Sequence, residues 1–402
     1  MQIHPDYNWK RITPHDAHYF FGYYDRNPWN PEQNLHLTLK VDQCERLPLL
    51  GETAEIGVLD GKGGYEPLTT TRAWCPQQGS MELFLPLRKN CFIYNDFEVA
   101  EQRMVARIFE IGRGVVGRFD WPIYAISPNG KYGVSLNFSR IPRRGYSYAD
   151  AALSPDLHPA DLDADGLRLV DLESGKSELI VSYRTMLERH PYGYGLETLH
   201  IWLNHAIFNC DSTRLLWLFR QSAHPNPIRG WQTFMYTCDL TGADAECILP
   251  EVYWTRGLIS HQIWGRTPRE ILVDANWRGA GNEVVVFDES RRPFVAERLS
   301  NGHGRMSHLV FSPDGKWILS DSYPNPEEDN TQVLELICAA DGRRELLGRF
   351  RHPTGPNSIV EVRCDLHPRW SPDGKIVTVD SIHDGQRAVY LLELEPAFQR
   401  LS

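Results

Sequence analysis

Ser307-His308-Leu309-Val310-Phe311-Ser312-Pro313-Asp314-Gly315-Lys316-Trp317-Ile318-Leu319-Ser320-Asp321-Ser322-Tyr323 is echoed downstream by His367-Pro368-Arg369-Trp370-Ser371-Pro372-Asp373-Gly374-Lys375. In each copy Ser-Pro-Asp-Gly joins two apolar runs. Proline presets φ and glycine accepts a positive φ, so the unit reads as a tight β-hairpin, repeated. Aligned on these turns, four segments place a histidine three residues before an aromatic: His205 before Phe208, His261 before Trp264, His308 before Phe311 and His367 before Trp370. The histidines lie 47 to 59 residues apart, slightly more than the usual period of a four-stranded propeller blade. An all-β, seven-bladed propeller of four-stranded antiparallel blades, spanning 1–402 as one domain, is the expected fold.

The remaining blades follow from weaker copies. Residues 1–15 are expected to lend an outer strand to the last blade, a common way to close a propeller. Blade one starts at His18-Tyr19-Phe20-Phe21. Blade two is expected near 72–118, with Gln77-Gln78-Gly79 where other blades have histidine, and blade three from Pro122. Blades four to seven take about 200–250, 258–300, 305–350 and 364–396. The stretches 139–165, 221–232 and 323–330 follow second strands and 184–199 precedes a first strand, so the long loops share one face with the histidines.

Composition narrows the classes. The chain has 402 residues, 42% of them hydrophobic, enough for a large core. A net charge of −10 argues against nucleic-acid binding by bulk electrostatics. The eight cysteines show no C-x-x-C pair and no disulfide-framework spacing, so most are expected to be buried thiols. The polar N-terminus and the lack of an 18-residue apolar run point to a cytoplasmic protein with no membrane span.

Two constellations could carry chemistry. In an antiparallel hairpin His308 should face Asp321, and Cys364-x-x-His367 brings a thiol and an imidazole to the next blade. His308, Asp321, Cys364 and His367 therefore form a candidate tetrahedral zinc site, structural because four protein ligands leave no open position. The competing reading is a buried thiol among histidines that hydrogen-bond between blades. The second constellation gathers Arg140, Arg143, Arg144, Tyr146 and Tyr148 after blade three, His190 and Tyr194 before blade four, then His205, Arg220 and His261. Elimination from a 4-linked uronate needs its carboxylate neutralised, a base for the adjacent proton and an acid for the leaving oxygen. Arg220 or an arginine of 140–144, His205, and Tyr146 or His205 itself suit these roles; the other members would bind substrate. Solvated loop arginines and inter-blade tyrosines are the plain alternative.

Phe20-Phe21-Gly22-Tyr23-Tyr24-Asp25, Leu136-Asn137-Phe138-Ser139-Arg140, the stretch from His308 to Tyr323 and Arg363-Cys364-Asp365-Leu366-His367-Pro368-Arg369-Trp370 resemble the seven-bladed ulvan lyases over most of the chain. More remotely the sequence is similar to oligogalacturonate lyase, in which a histidine in a Thr-His-Glu-Phe context and a His-Pro-His-Pro motif bind manganese. His261 and His367 would correspond, while Cys364 and Asp365 replace other ligands of that pattern, a departure from the manganese arrangement. The resemblance implies β-elimination on a uronate-containing oligo- or polysaccharide, and zinc ahead of manganese or calcium. A glycan-binding or assembly propeller without catalysis and a glycoside hydrolase are the alternative functions.

Overall fold

The hairpins recur because each Ser-Pro-Asp-Gly or Ser-Pro-Asn-Gly corner closes the same way. The glycine N–H donates to the serine carbonyl at 2.8–2.9 Å in Ser127/Gly130, Ser312/Gly315 and Ser371/Gly374. The glycine sits at φ of 70–71°, a region that only glycine enters freely. The serine hydroxyl accepts from the first residue of the second strand, as Trp317 N–H to Ser312 Oγ at 3.0 Å. A computed structural model describes residues 7–154, 161–191, 199–225, 231–249, 253, 258–277, 281–301, 307–353 and 361–401.

Among these residues the strands form seven antiparallel sheets of four, each built from strands consecutive in sequence except the last. That sheet orders Lys10–Arg11, Ala388–Glu393, Ile376–Ser381 and Arg369–Trp370, so the first strand of the chain closes the last blade. Register is fixed by Lys10 opposite Leu391 and Arg11 opposite Tyr390. The expected seven-bladed propeller is therefore the observed fold.

The repeating aromatic has a structural task. Trp264 Nε1 donates to the Ile207 carbonyl of the preceding blade at 3.1 Å, and Trp370 Nε1 donates to Val310 O at 3.2 Å. Acidic residues ending second strands do the complementary job. Asp274 accepts the Ser307 N–H at 2.9 Å, Asp321 accepts the His367 N–H at 3.1 Å, and Asp380 accepts Phe21 and Gly22 N–H groups at 3.3 and 3.1 Å. Each carboxylate latches its blade to the next, satisfying backbone donors that would otherwise be buried without partners.

Blade one departs from the repeat. Its first strand, His18–Phe20, pairs with Leu39, Lys40 and Val41, and the ladder resumes only at the Trp29–His36 bridge. Residues 21–27 leave the sheet between these points. Gly22 makes this possible at φ +127°, where an added Cβ would lie 2.6 Å from the Gln78 carbonyl carbon. Asp380 grips the departing backbone, and Arg369, paired with Asp380 at 2.6 Å, donates to Gly22 O at 3.0 Å. His18 stays in the sheet, its Nδ1 accepting the Arg387 N–H at 3.2 Å. In blade two the residue three before the aromatic Phe84 is Met81, at φ +60°, and the Asn95 N–H reaches Ser80 O at 2.9 Å. Gln77-Gln78-Gly79 thus precedes the histidine-equivalent position instead of filling it.

Candidate functional site

The histidines spaced at blade intervals converge. His261 and His308 ring centroids are 4.0 Å apart, and His308 and His367 are 4.3 Å apart. His205, His261 and His367 adopt φ of 54°, 51° and 43°. The pairing register slips between Asn204 and Ile207 and between Ser260 and Ile263, so His205 and His261 sit at bulges that re-aim a side chain. Left-handed non-glycine backbone costs about 1–3 kcal/mol per residue and collects at functional sites. The excursion from blade one fills the space between these rings. Tyr24 packs against His308 at 4.9 Å and His261 at 5.9 Å, and Tyr23 against His367 at 5.0 Å.

Potential ligand atoms of His308, Asp365 and His367 all lie within 4.8 Å of one another, and all three residues are buried. The donors are oriented for a cation. Asp321 binds His308 Nδ1 at 3.0 Å, leaving Nε2 as the coordinating nitrogen. His367 Nε2 and His261 Nδ1 are buried without a hydrogen-bond partner. Arg363 clasps both Asp365 oxygens, at 2.5 and 2.8 Å. Burial acts to raise the Asp365 carboxyl, and the Arg363 charge overrides it and holds the group below the usual carboxylate range. Burial, then the neighbouring His308, drives His261 and His367 far below the ordinary histidine value, so both are neutral donors. Two imidazoles and a carboxylate with orphaned nitrogens fit a divalent transition ion.

This trio differs from the expected four ligands. His308 and His367 belong to it. Asp321 stands behind them, its oxygens taken by the His308 ring and backbone N–H groups. Asp365, and not its neighbour Cys364, groups with the two imidazoles as a possible ligand. The Cys364 N–H donates to His352 Nε2 at 3.2 Å, and burial pushes its thiol up to about 12, so it stays protonated.

The arginine and tyrosine cluster divides. Arg220 Nη1 donates to Tyr146 Oη at 3.1 Å, tying blade four to the insert. Nearby, His205 Nε2 contacts the Gln262 carbonyl, which fixes the proton on Nε2 and leaves Nδ1 bare. That Nδ1 lies 3.9 Å from Asp25 Oδ2, a buried oxygen with no hydrogen-bond partner. Burial lowers His205, with the Asp25 charge opposing.

The other arginines are engaged within the fold. Arg140 is buried against Asp165 and lies 4.4 Å over the Tyr183 ring, which removes it from a ligand-facing role. Arg143 is exposed and reaches the Pro48 carbonyl, while Arg144 pairs with Glu361 at 2.6 Å and covers Trp231. Tyr148 is buried in a stack on Phe138 at 4.9 Å. His190 is likewise a packing residue: Nδ1 meets Tyr236 Oη at 2.7 Å between Phe219 and Phe234, and burial lowers it to about 4. Tyr194 lies outside the described residues. His261 joins the axis, its Nε2 3.1 Å from Tyr323 Oη.

The insert acts as a strap. Gly145 O accepts the Gln77 N–H at 3.0 Å, Arg144 reaches Glu361, Tyr146 reaches Arg220, and Asp150 takes the Gly51 N–H and Arg72 at 3.0 and 2.6 Å. Blades one, two and four and the approach to blade seven are thereby bridged.

Sequence reasoning passed over Tyr23, Tyr24, Asp25, Tyr323 and Arg363 as site residues. The Gly22-Tyr23-Tyr24-Asp25 run was visible only as shared motif; nothing in strand periodicity signals that it leaves the sheet. Asp365 was visible beside Cys364, but no strand alternation separates the two, since residues 363–368 lie outside regular strand and His367 has φ of 43°.

No family model matches the chain, and no curated protein matches it. Among solved structures, oligogalacturonate lyase in complex with manganese superposes with a TM-score of 0.66 at 14% identity, covering 99% of this chain and 96% of that one. The oligogalacturonate lyase of Vibrio parahaemolyticus gives 0.63 at 13%, covering 98% of each. A prolyl endopeptidase structure gives 0.51 at 11% over 93% of this chain and 50% of that one. These likenesses establish a shared fold, which by itself hosts several chemistries.

Proposed function

We propose that the protein is a metal-assisted carbon–oxygen lyase that cleaves a uronate-containing oligo- or polysaccharide by β-elimination. The observation that carries this reading is the buried His308, Asp365 and His367 trio beside a histidine of defined tautomer, His205. The full-length likeness to oligogalacturonate lyase, one structure of which holds manganese, supports the substrate class.

His205 Nδ1 takes the proton from the carbon next to the carboxylate. Arg220, steadied by Tyr146, pairs with that carboxylate and disperses the charge that builds on it as the proton leaves. His308, Asp365 and His367 would hold the cation, with His261 Nδ1 adjacent. A divalent ion there supplies Lewis acidity toward substrate oxygens. With only three protein ligands, His308, Asp365 and His367 would leave room for a substrate oxygen beside a bound ion. Zinc and manganese both suit this donor set; calcium, which prefers all-oxygen cages, does so less.

The test is a panel of uronate-containing glycans, each offered to metal-stripped, zinc-loaded and manganese-loaded protein. An unsaturated uronate absorbing in the ultraviolet is expected, with turnover lowered ~100-fold or more by His205→Ala and by Arg220→Ala. New reducing ends without that band would replace the lyase by a hydrolase, and glycan retention without products would leave a binding propeller.

A further inference from the structure

The excursion from blade one places a phenol between the two halves of the site. The Tyr23 ring stands edge-on to His367 at 5.0 Å, His205 at 5.7 Å and His308 at 6.0 Å, touching histidines of three blades. It packs on Tyr24 at 4.7 Å, and Arg220, Asp25, Tyr124 and Tyr323 are its electrostatic neighbours. Tyr23 is less buried than the four histidines it stands among, which are at most 7% exposed. Its backbone is fixed from both sides by Asp380 and Arg369 on the Gly22 peptide. Tyr146, which with His205 itself was expected to act as the acid, accepts from Arg220, whose guanidinium carbon lies 5.7 Å from its ring centroid.

We infer that Tyr23 is the general acid of the proposed elimination, an assignment that rests on the lyase reading. His205 removes the proton beside the carboxylate, and that C–H electron pair becomes the new C=C bond. The bond from carbon to the leaving sugar oxygen breaks, its electron pair stays on the oxygen, and the Tyr23 O–H supplies the proton. The phenolate regains a proton from the His205 imidazolium or from water, so neither oxidant nor co-reactant is required.

Tyr23→Phe keeps the ring and removes the proton. The experiment compares two substrates, a uronate glycoside that the wild type cleaves and a 4-deoxy-4-fluoro uronide, whose fluoride departs with little need of an acid. Expected is a loss of ~100-fold or more on the glycoside and less than ~5-fold on the fluoride, with metal content unchanged. Equal losses on both substrates, or none on the glycoside, would overturn the assignment. If Tyr23→Phe lowers the melting temperature, 3-fluorotyrosine at position 23 serves instead: a shifted glycoside rate with an unshifted fluoride rate supports the role, and two unshifted rates reject it. A wild type silent on both substrates would sink the lyase reading itself; an active wild type with an equally active Tyr23→Phe sinks only this assignment.

Discussion

Left-handed backbone at His205, His261 and His367 links the smallest scale to the site, because each strained residue aims an imidazole at its neighbours instead of along the sheet. The ligand assignment follows from single atoms. Cys364→Ser should keep one equivalent of metal after dialysis, Asp365→Ala and His367→Ala should lose it, and Asp321→Asn should weaken binding by ~10- to 100-fold through the His308 ring. Elemental analysis decides; a metal-free Cys364→Ser beside a loaded Asp365→Ala would restore the thiolate set. Glu82 supplies a separate test away from these ligands. Burial raises its carboxyl from 4.5 to about 8, so it is protonated in the folded protein at neutral pH. A raised folded value means that its stabilising contribution is complete below 4.5 and fades as pH climbs toward 8. Glu82→Gln, permanently neutral, should therefore gain on the wild type across that window in urea melts taken at several pH values. A difference independent of pH would show that Glu82 does not titrate there.

The blade was the most legible element in the sequence, since Ser-Pro-Asp-Gly corners and His-x-x-aromatic spacing are local and periodic. Less legible was where a side chain points once a bulge intervenes. The slip between Ser260 and Ile263 turns His261 toward His308, and no alternation pattern announces it. The excursion 21–27 was hidden for a similar reason, its exit depending on contacts from residues more than 300 positions away, such as Asp380 and Arg369. Gly22→Ala tests that element directly. With φ at +127° and a Cβ 2.6 Å from backbone, the substitution should cost about 3 kcal/mol or more and displace Tyr23. Chemical denaturation measures the first effect and loss of turnover the second; a wild-type urea midpoint would mean that the segment is not clamped as described. The insert, expected to offer arginines to a ligand, pairs Arg140 with its own Asp165 and sends Arg144 to Glu361 before blade seven, because a long segment laid across several blades must pair its buried charges.

At the scale of the whole ring, closure decides whether the axial site exists, since histidines from separate blades meet only when the circle is complete. The clasp is the N-terminal strand, a feature legible from the polar start with its Tyr7, Trp9 and Ile12. All three are buried, Trp9 Nε1 donates to Leu347 O at 2.9 Å, and the Trp9 ring meets Phe350 edge-on at 5.2 Å. Lys10 and Arg11 add the ladder on the Ala388–Glu393 strand. Burying a large apolar side chain contributes about 1.5–3 kcal/mol, so removing residues up to 13 forfeits roughly 5–9 kcal/mol, comparable with the about 5–15 kcal/mol that keeps a typical protein folded. It also uncovers Ala388–Glu393 as an unpaired edge, a template for association with another chain. The truncated protein should show a sharply lower urea midpoint, reduced metal retention and concentration-dependent association in sedimentation. If it instead stays monomeric with the full-length midpoint, the ring is held by the Asp380 and Arg369 contacts to blade one, and the N-terminal strand is an accessory.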